Sequence, residues 1–324
     1  MKQITNTILA VLFLSVLTTI FTMQPAQAAK IRIALAETPS DELAAFFVAL
    51  DRAKAKGLEY EWTAFSDEEL AIQAILSGQM DIGFGTPYSA MQRSKAPVRI
   101  IFQLSKLKFF PVSTKKYSKL QELNGVPIML HSRGGGTDSI ANVIEEKLSI
   151  KFGTRSYVPG SANRIVALMA GRTEVTIVDL SNKNKLMKQA GDKFNVIPMF
   201  DVDASDEALF ANLNWIKSNA KDVDIFVSAL LSVYRDMIKD PTIIRKETSP
   251  NGPIGQLPKE VLGSLDNFYR DAVEGGLYDA NGGGEKAARA DLEWYTRAGQ
   301  LEGTPATLNI NDFWYLEPLK RAMN

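Results

Sequence analysis

A fourteen-residue pattern occurs twice in this sequence, ninety-three positions apart, and it constrains the fold more than any other feature. Residues 74–87 read AILSGQMDIGFGTP, and residues 167–180 read ALMAGRTEVTIVDL. Each copy has an apolar helix end, a Gly (Gly78 or Gly171), an acid three positions later and a short apolar run. The Gly suits the left-handed residue after a helix, and the apolar run suits a strand buried on both faces. Two copies, each preceded by a strand–loop–helix unit, predict one α/β lobe built twice and a cleft between the two lobes.

Strands and helices alternate through the first part of the chain. Residues 30–36 (KIRIALA) predict a strand, and Ser40 in the following loop is expected to cap a helix from Asp41. Three more strands alternate with predicted helices, so the sheet should be largely parallel. These strands are predicted over residues 58–64, 80–85 and 98–104.

The same alternation starts again later in the chain. Residues 106–116 (KLKFFPVSTKK) have no clear period, and we interpret them as an irregular crossing into a second lobe. After Asp201 no parallel-strand series recurs, so this block is expected to supply helices that cover the first lobe. The predicted organisation is a discontinuous first lobe of residues 29–106 and 202–324 and a second lobe of residues 107–201.

The N-terminus has the features of a secretory signal peptide. Lys2 precedes an apolar stretch from residue 8 to residue 21, and Ala26-Gln27-Ala28 has the small-x-small pattern of a cleavage site. The apolar stretch is shorter than the ~20 residues of a spanning helix. We therefore expect a cleaved signal peptide over residues 1–28 rather than a membrane anchor. The chain has no Cys to carry a lipid, so we expect a freely diffusing periplasmic protein.

The composition excludes several classes of function. Lys+Arg and Asp+Glu both number 37, and the loss of Lys2 with the signal peptide leaves 36 against 37, a balance of −1. This charge gives no global field for nucleic acid, so no nucleic-acid partner is predicted. With one His and no Cys, a Ser-His-Asp triad, a zinc site or a thiol nucleophile is hard to build. We therefore predict no enzyme activity, no metal and no cofactor, and we expect a monomer.

Polar residues cluster in the loops that follow the predicted strands. In open parallel sheets, ligands bind outside the carboxyl ends of the strands, and this rule selects six loops as the candidate site. The candidates in the first lobe are Glu37, Thr38, Ser40, Gly85, Thr86 and Gln103, and those in the second lobe are Ser132, Arg133, Gly135, Gly136, Thr137, Ser161 and Asp179.

The loop over residues 131–137 (HSRGGGT) is the sharpest single motif. Its glycines allow backbone N–H groups to turn toward a ligand, and the helix that follows adds the positive end of its dipole. Arg133 and the hydroxyls of Ser132 and Thr137 add donors for an oxyanion. The loop therefore predicts anion binding, with a flexible turn and a solvated Arg as the alternative. It lacks the Lys-Ser/Thr ending of a nucleotide P-loop.

Asp179 is the position at which the two copies of the repeat differ most, because the first copy has Thr86 there. Its carboxylate could bind a ligand ammonium or hydroxyl, or it could pair with Arg133 or a nearby Lys. Glu37 also has two interpretations: it could bind a ligand, or it could be a solvated loop acid. Ser161 could donate to a ligand or could only cap a helix.

Five segments that span nearly the whole chain after the predicted signal peptide resemble the periplasmic solute-binding proteins of ABC importers. They are KIRIALA, GQMDIGFGTP, LQELNGVPIMLHSRGGGTDS, VPGSANRIVALMAGRTEVTIVD and DFWYLEPLKRA. The most similar branch is the nitrate/sulfonate/taurine type, which includes binders of a thiamine pyrimidine precursor. The resemblance implies a type II-like periplasmic binding protein fold with a two-strand hinge, and a permease and an ATPase at the inner membrane as partners. It places Thr38, Gly85, Thr86, Ser132, Gly135, Thr137 and Asp179 at or near the pocket.

The resulting hypothesis is a non-enzymatic binding protein. It would capture a small anionic organic solute, sulfonate-, carboxylate- or nitrate-like, in the cleft and deliver it to the permease. One alternative is a binder of a neutral or cationic heterocycle such as a thiamine pyrimidine precursor. Another is a ligand-sensing partner of a membrane receptor. An inward-facing Asp179 without an internal partner would favour a solute that carries an amine.

Overall fold

Two five-stranded sheets form the centre of the protein. The computed structural model describes residues 30–36, 38–66 and 68–324. The predicted signal peptide of residues 1–28 and the candidate residue Glu37 therefore lie outside the described residues. Residues 31–324 form one compact unit. Among the described residues, no helix has the length and apolar character needed to cross a membrane.

The first sheet combines the predicted N-terminal strands with one strand from the C-terminal block. Its strands are β1 Ile31–Leu35, β2 Tyr60–Ala64, β3 Ile82–Gly85, β4 Val98–Lys106 and β10 Ser205–Asn212, in the order β2-β1-β3-β10-β4. β1 pairs in parallel with β2 and β3. β10 is antiparallel to both β3 and β4. Four strands therefore point in one direction and one inserted strand opposes them.

The second sheet repeats this arrangement. Its strands are β5 Phe110–Thr114, β6 Ile128–Leu130, β7 Arg155–Tyr157, β8 Val175–Val178 and β9 Phe194–Val196, in the order β7-β6-β8-β5-β9. β6 pairs in parallel with β7 and β8, and β5 is antiparallel to β8 and β9. The fold is α/β with two lobes, one built around each sheet, which confirms the predicted fold class.

The repeated sequence pattern occupies the same place in both sheets. Its apolar runs are β3 and β8, which are buried along their whole length and lie beside the inserted strand in each sheet. The two glycines that precede these strands have positive φ values, 76° at Gly78 and 69° at Gly171. A left-handed residue after a helix favours Gly, so the predicted role of both glycines is confirmed.

The two strands that cross between the lobes were missed by the sequence interpretation. Residues 106–116, which we expected to be irregular, contain β5, and the block after Asp201, which we expected to be helical, contains β10. Pro111 hides β5, because a proline in a short polar segment argues against a strand. β10 begins with Ser-Asp-Glu, so only its second half has the apolar character of a buried strand. We propose the predicted lobe boundaries, in which residues 29–106 and 202–324 form the first lobe and residues 107–201 form the second.

The two crossings, residues 107–109 and 197–204, run side by side. Leu107 N donates to Ala204 O at 2.8 Å, which continues the β4–β10 pairing into the crossings. Lys106 Nζ lies 2.9 Å from Asp203 Oδ1, and Lys108 pairs with Asp201. The crossings therefore have the form of a two-strand hinge.

Helices cover both sheets. Those of the first lobe are α1 Ala44–Lys54, α2 Glu68–Leu76, α3 Tyr88–Ser94, α7 Leu213–Ser218, α8 Ala220–Lys239, α9 Ile243–Glu247, α10 Lys259–Glu274, α11 Gly284–Arg297 and α12 Glu317–Met323, and those of the second lobe are α4 Gly136–Leu148, α5 Ser161–Met169 and α6 Leu180–Ala190. α1 packs against α8, where the rings of Phe46 and Phe226 meet edge to face with centroids 5.6 Å apart. Ser40 does not cap α1, because the helix begins later and Leu43 occupies the N-cap position.

A buried carboxylate anchors the start of β10. Asp291 of α11 is fully buried and accepts hydrogen bonds from Ser205 N at 2.5 Å, Ser205 Oγ at 3.0 Å, Trp314 Nε1 at 3.2 Å and the hydroxyl of Tyr88. Among the described residues it has no ion-pair partner. Burial raises the pKa of Asp291 to about 7, while the donors oppose that rise. β10 thus begins at a buried polar cluster whose donors and acceptors must form hydrogen bonds within the protein.

Removing this carboxylate should destabilise the fold. We expect Asp291→Ala to lower the free energy of unfolding by about 3 kcal/mol, because the buried donors lose their acceptor. Urea unfolding measures the effect. Asp192→Ala, at an exposed acid, is the matched control and should change stability by less than about 0.5 kcal/mol. Equal effects of the two substitutions would contradict the anchoring role.

The same group predicts a pH dependence of stability. The ordinary carboxyl pKa is 3.8 and that of folded Asp291 is about 7. Between these values the folded state holds a proton that the unfolded state releases. The contribution of Asp291 is therefore fully present below about pH 4 and is lost as pH rises to about 7. Asp291→Asn should remove this part of the pH profile in urea melts. A difference between the two proteins that stays constant from pH 4 to pH 7 would contradict the prediction.

Candidate ligand-binding cleft

A cavity of about 50 Å³ lies where the two lobes meet beside the crossings. The first lobe contributes residues from β3, β4, β10, α1, α8 and the loop before α11. The second lobe contributes the junction of β8 and α6, and the first crossing contributes two residues. The lining residues are Glu42, Leu43, Phe46, Phe84, Leu104, Ser105, Lys108, Phe109, Asp179, Leu180, Asp206, Glu207, Tyr234, Leu277 and Tyr278. The lining therefore comes from both lobes and from the first crossing.

Aromatic rings form the apolar part of the cavity wall. Phe46 and Phe84 meet edge to face with centroids 5.5 Å apart, and Tyr234 and Tyr278 do the same at 5.4 Å. Tyr234 donates its hydroxyl proton to Leu104 O at 2.7 Å, which fixes the ring. Burial raises the pKa of both tyrosines well above 10, so both phenols stay neutral. These rings give the cavity a rigid apolar surface.

Acidic groups outnumber basic ones in the cavity lining. Four carboxylates contribute, those of Glu42, Asp179, Asp206 and Glu207, against the single ammonium of Lys108. That ammonium already pairs with Asp201, which is not part of the lining. Glu42, Asp206 and Glu207 also have interaction partners within the protein, so the acids of the lining are engaged as the base is.

Asp179 is the one predicted site residue that lines the cavity. Its Oδ1 accepts from Asn182 N at 2.7 Å, so the carboxylate caps α6. It forms no ion pair with a described residue, and Arg133 stacks instead over the ring of Tyr157 at 5.3 Å. Burial raises the pKa of Asp41, and the nearby charge of Asp179 adds to that rise. The structure therefore places Asp179 at the cleft, where its charge also acts on the buried guanidinium of Arg164 and opposes the lowering of its pKa by burial.

The Gly-rich loop is held by contacts within the protein. Gly134 N donates to Asp138 Oδ2 at 2.9 Å, and His131 N donates to Thr137 Oγ1 at 2.8 Å. None of Ser132, Arg133, Gly135, Gly136 and Thr137 lines the cavity. A side-chain carbon at Gly136 would lie 3.8 Å from Asp206 Oδ1, so a protein carboxylate lies near the first turn of α4. The role of these five residues in binding stays a prediction.

Ser161 belongs to a buried network around Arg164. The Ser161 hydroxyl accepts from Arg164 Nη2 at 2.8 Å. Arg164 also donates to Ile177 O at 3.0 Å and Val158 O at 3.0 Å, and it is 1 % exposed. Burial lowers the pKa of Arg164 to about 10. Ser161 therefore serves first as an internal acceptor beside Asp179, and its contact with a ligand stays a prediction.

Gly85 and Thr86 contact Glu68 of α2. Thr86 Oγ1 donates to Glu68 Oε1 at 2.8 Å, and Thr86 N donates to the same oxygen. Gly85 has a φ of 142°, and a side-chain carbon there would lie 2.5 Å from Glu68 Oε1. Gly is favoured at this position by its positive φ, a backbone conformation that other residues rarely adopt.

The remaining candidates of the first lobe lie outside the cavity lining. Gln103 is buried, and its Nε2 donates to Asp203 O at 3.0 Å and Ser205 Oγ at 3.1 Å, so it holds the second crossing. Thr38 is exposed and, with Ser40, lies in the loop before α1. Binding by Thr38, Ser40, Gly85, Thr86 and Gln103 stays a prediction.

The lobes contact each other at two places beyond the crossings. At the end of α11, which we call the α11 contact, Gln300 donates to Gly134 O and Ser139 Oγ, and Ala298 O accepts from Asn142 Nδ2 at 3.1 Å. At the α6 contact, Ser181 Oγ donates to Asp41 Oδ2 at 3.0 Å, and Asn184 Nδ2 donates to Asp271 Oδ2 at 2.8 Å. These bonds hold the lobes together around the cavity.

Sequence reasoning missed most of the cavity residues. Glu42 and Phe46 follow the predicted loop rather than lying in it, and Asp206 lies in the strand that was not recognised. Tyr234 lies in the C-terminal block, which the sequence predicted only as a helical cover of the first lobe. The available signal was the Asp206-Glu207 pair directly after the second crossing.

Comparison with known proteins agrees with this fold. A sequence model of the family described as "NMT1/THI5 like" matches residues 42–243. No curated protein matches the chain.

Several solved structures share the architecture. A protein from Bordetella bronchiseptica RB50 is 17% identical, with a TM-score of 0.68 over 91% of this chain and 97% of that one. The putative periplasmic sulfonate-binding protein SsuA of a sulfonate ABC transporter from Methylobacillus flagellatus KT is 15% identical, with a TM-score of 0.63 over 92% of this chain and 94% of that one. The periplasmic nitrate-binding protein NrtA from Synechocystis PCC 6803 is 12% identical, with a TM-score of 0.65 over 90% of this chain and 88% of that one. At these identities the similarity establishes the fold.

Proposed function

Because the chain belongs to the NMT1/THI5-like family, we propose that it is the solute-binding component of an ABC import system. A small organic solute binds in the cavity between the lobes, and a membrane permease recognises the closed protein. The ATPase of the importer then drives uptake. Solved proteins of the same fold that are named as sulfonate- and nitrate-binding components of such systems support this assignment.

The observation that carries the proposal is the position of the cavity. Its lining draws residues from both lobes and from the first crossing, so a solute contacts every part of the lining only when the lobes are together. A solute that contacts both lobes binds the closed form more tightly than the open one, and this difference in affinity shifts the population toward closure. The paired crossings provide a hinge for that motion.

We propose a binding role without a chemical step, in the periplasm. The predicted signal peptide and the names of the solved relatives support this location. The proposed solute is the small anion that the Gly-rich loop suggests, and the alternative is a neutral or cationic heterocycle.

Solute binding can be tested without knowing the solute. We expect mass spectrometry of the denatured, purified protein to detect a released small molecule. Re-addition of that molecule to solute-free protein should raise the melting temperature. A solute at a hundred times its dissociation constant stabilises the folded state by about 2.7 kcal/mol. If no molecule is released, and no member of a panel of sulfonates, nitrate, carboxylates, amines and heterocycles shifts the melt, the proposal is wrong.

The α11 contact should contribute to affinity through closure. We expect Gln300→Ala to weaken binding of the released solute about three- to tenfold, because exposed hydrogen bonds of the closed form are lost. Isothermal titration measures the affinity, and small-angle X-ray scattering measures the closed fraction. Gln256→Ala, which removes a hydrogen bond within the loop before α10, is the matched control. Weaker binding with an unchanged closed fraction would contradict this mechanism.

A further inference from the structure

We propose that the outer end of the second lobe binds an anionic membrane surface. This part of the protein lies away from the cavity between the lobes, so the inference goes beyond the proposed function. Three features support it: the distribution of charge between the lobes, a cluster of exposed bases, and two exposed apolar side chains beside that cluster.

The near-zero net charge of the chain conceals an uneven distribution between the lobes. Residues 107–201 contain 14 Lys and Arg against 8 Asp and Glu, a balance of +6. Residues 29–106 and 202–324 together contain 22 Lys and Arg against 29 Asp and Glu, a balance of −7. Such a separation gives the two lobes opposite potentials, which orient the protein in the field of a charged surface. The second lobe is therefore the part that an anionic surface attracts.

The strand register brings three segments together at one end of the second sheet. β8 ends at the cavity, so the turn that precedes it, residues 170–174, lies at the opposite end of the strand. β5 is antiparallel to β8, and Ser113 pairs with Val175, so the loop after β5 lies at that same end. Thr114 pairs with Phe194, which places the turn before β9 there as well. The three segments thus form the outer end of the lobe, away from the cavity.

Six exposed bases occupy these segments and the last turn of α6, and we call them the basic end. They are Lys115, Lys116, Lys119, Arg172, Lys188 and Lys193. Contacts join the segments, because Lys115 Nζ donates to Asn195 Oδ1 at 3.2 Å and Lys116 Nζ lies 3.3 Å from Glu174 Oε2. Lys116 is the only one of the six that forms an ion pair with a described residue. The acids of the same segments are Glu122, Glu174 and Asp192. These charges leave the basic end with a balance of +3.

Two exposed apolar side chains lie next to the basic end. Val166 and Met169 of α5 are 60% and 39% exposed, and they share one face of the helix because they are three residues apart. α5 ends at Met169, and the chain reaches Arg172 three residues later. Surfaces that lie on membranes combine such groups, because apolar side chains enter the interface while Lys and Arg contact anionic headgroups.

The composition of the basic end favours a lipid surface over a protein partner. Five of its six bases are Lys. Lys is depleted in protein interfaces, where Arg and aromatic residues are enriched. Anionic headgroups attract Lys and Arg alike, and the flexible Lys side chain suits a surface without a fixed arrangement of acids. We therefore assign the basic end to a membrane rather than to the acidic first lobe of a second copy.

Sedimentation with lipid vesicles tests membrane binding directly. The purified protein is mixed with vesicles of phosphatidylcholine alone, or of phosphatidylcholine and phosphatidylglycerol in equal amounts. We expect at least about tenfold tighter binding to the anionic vesicles at low salt, because the headgroups attract the exposed bases. Raising the salt concentration to about 1 M should abolish this preference, since salt screens exposed charges. Equal binding to both kinds of vesicle, or binding to neither, would overturn the inference.

Two sets of substitutions show whether the basic end or the net charge is responsible. The first set removes four exposed bases of the basic end, by Lys119→Gln, Arg172→Gln, Lys188→Gln and Lys193→Gln. The matched control removes four exposed bases of the first lobe, by Lys54→Gln, Lys56→Gln, Lys217→Gln and Lys221→Gln. We expect the first set to weaken binding to anionic vesicles at least about tenfold and the control to change it less than about twofold. Melting curves confirm that both variants fold, and equal losses would show that the inference is wrong.

The apolar pair should contribute independently of charge. We expect Val166→Ser combined with Met169→Gln to weaken binding to anionic vesicles about threefold and to leave the salt dependence unchanged. An oligomer of the protein alone that the four substitutions in the basic end abolish, with no binding to vesicles, would overturn the inference in favour of a second copy. Analytical ultracentrifugation measures this association.

Solute binding and vesicle binding fail independently of each other. The variant with four substitutions in the basic end should bind the released solute as the unaltered protein does, because none of these residues lines the cavity. A protein that binds its solute but no vesicle upholds the proposed function and overturns the inference. A protein that binds anionic vesicles through the basic end but no solute does the reverse.

Discussion

The architecture depends on the backbone pairing of the two strands that pass from one lobe to the other. β10 lies between β3 and β4 of the first sheet, and β5 lies between β8 and β9 of the second. Each crossing therefore leads directly into the interior of a sheet, and the buried Asp291 cluster fixes the place where β10 begins. Because the crossings also pair with each other, the lobes can change their relative orientation only about this short segment.

The position of the cavity follows from the same constraint. The crossings bring the carboxyl end of β4 and the start of β10 close to the junction of β8 and α6, and all three places contribute residues to the lining. Residues far apart in sequence, such as Glu42 and Asp206, thus face one space together with Asp179. Closure of the lobes removes this space from solvent, which strengthens the effect of its charges on a bound solute.

The sequence predicted the repeated lobe well, because glycine after a helix and apolar buried strands are local signals. Gly78, Gly171, β3 and β8 were all predicted from such signals. β5 and β10 were not predicted. Pro111 in β5 and the acids of β10 give these segments no local strand pattern, and the two strands pair only through the tertiary fold. Because β10 was not predicted, Asp206 and Glu207 were also absent from the predicted site. The Gly-rich loop has a strong local pattern, but its surroundings, including Asp138 and Asp206, are set by contacts that the sequence does not show.

The central claim is that a solute binds in the acidic cavity beside the hinge. A crystal structure of the protein with the molecule that it releases on denaturation tests this most directly. We predict that the molecule lies against Phe46 and Phe84 and also contacts the junction of β8 and α6 in the second lobe. A molecule bound instead by Arg133 and the backbone of residues 132–137, outside this cavity, would contradict the account.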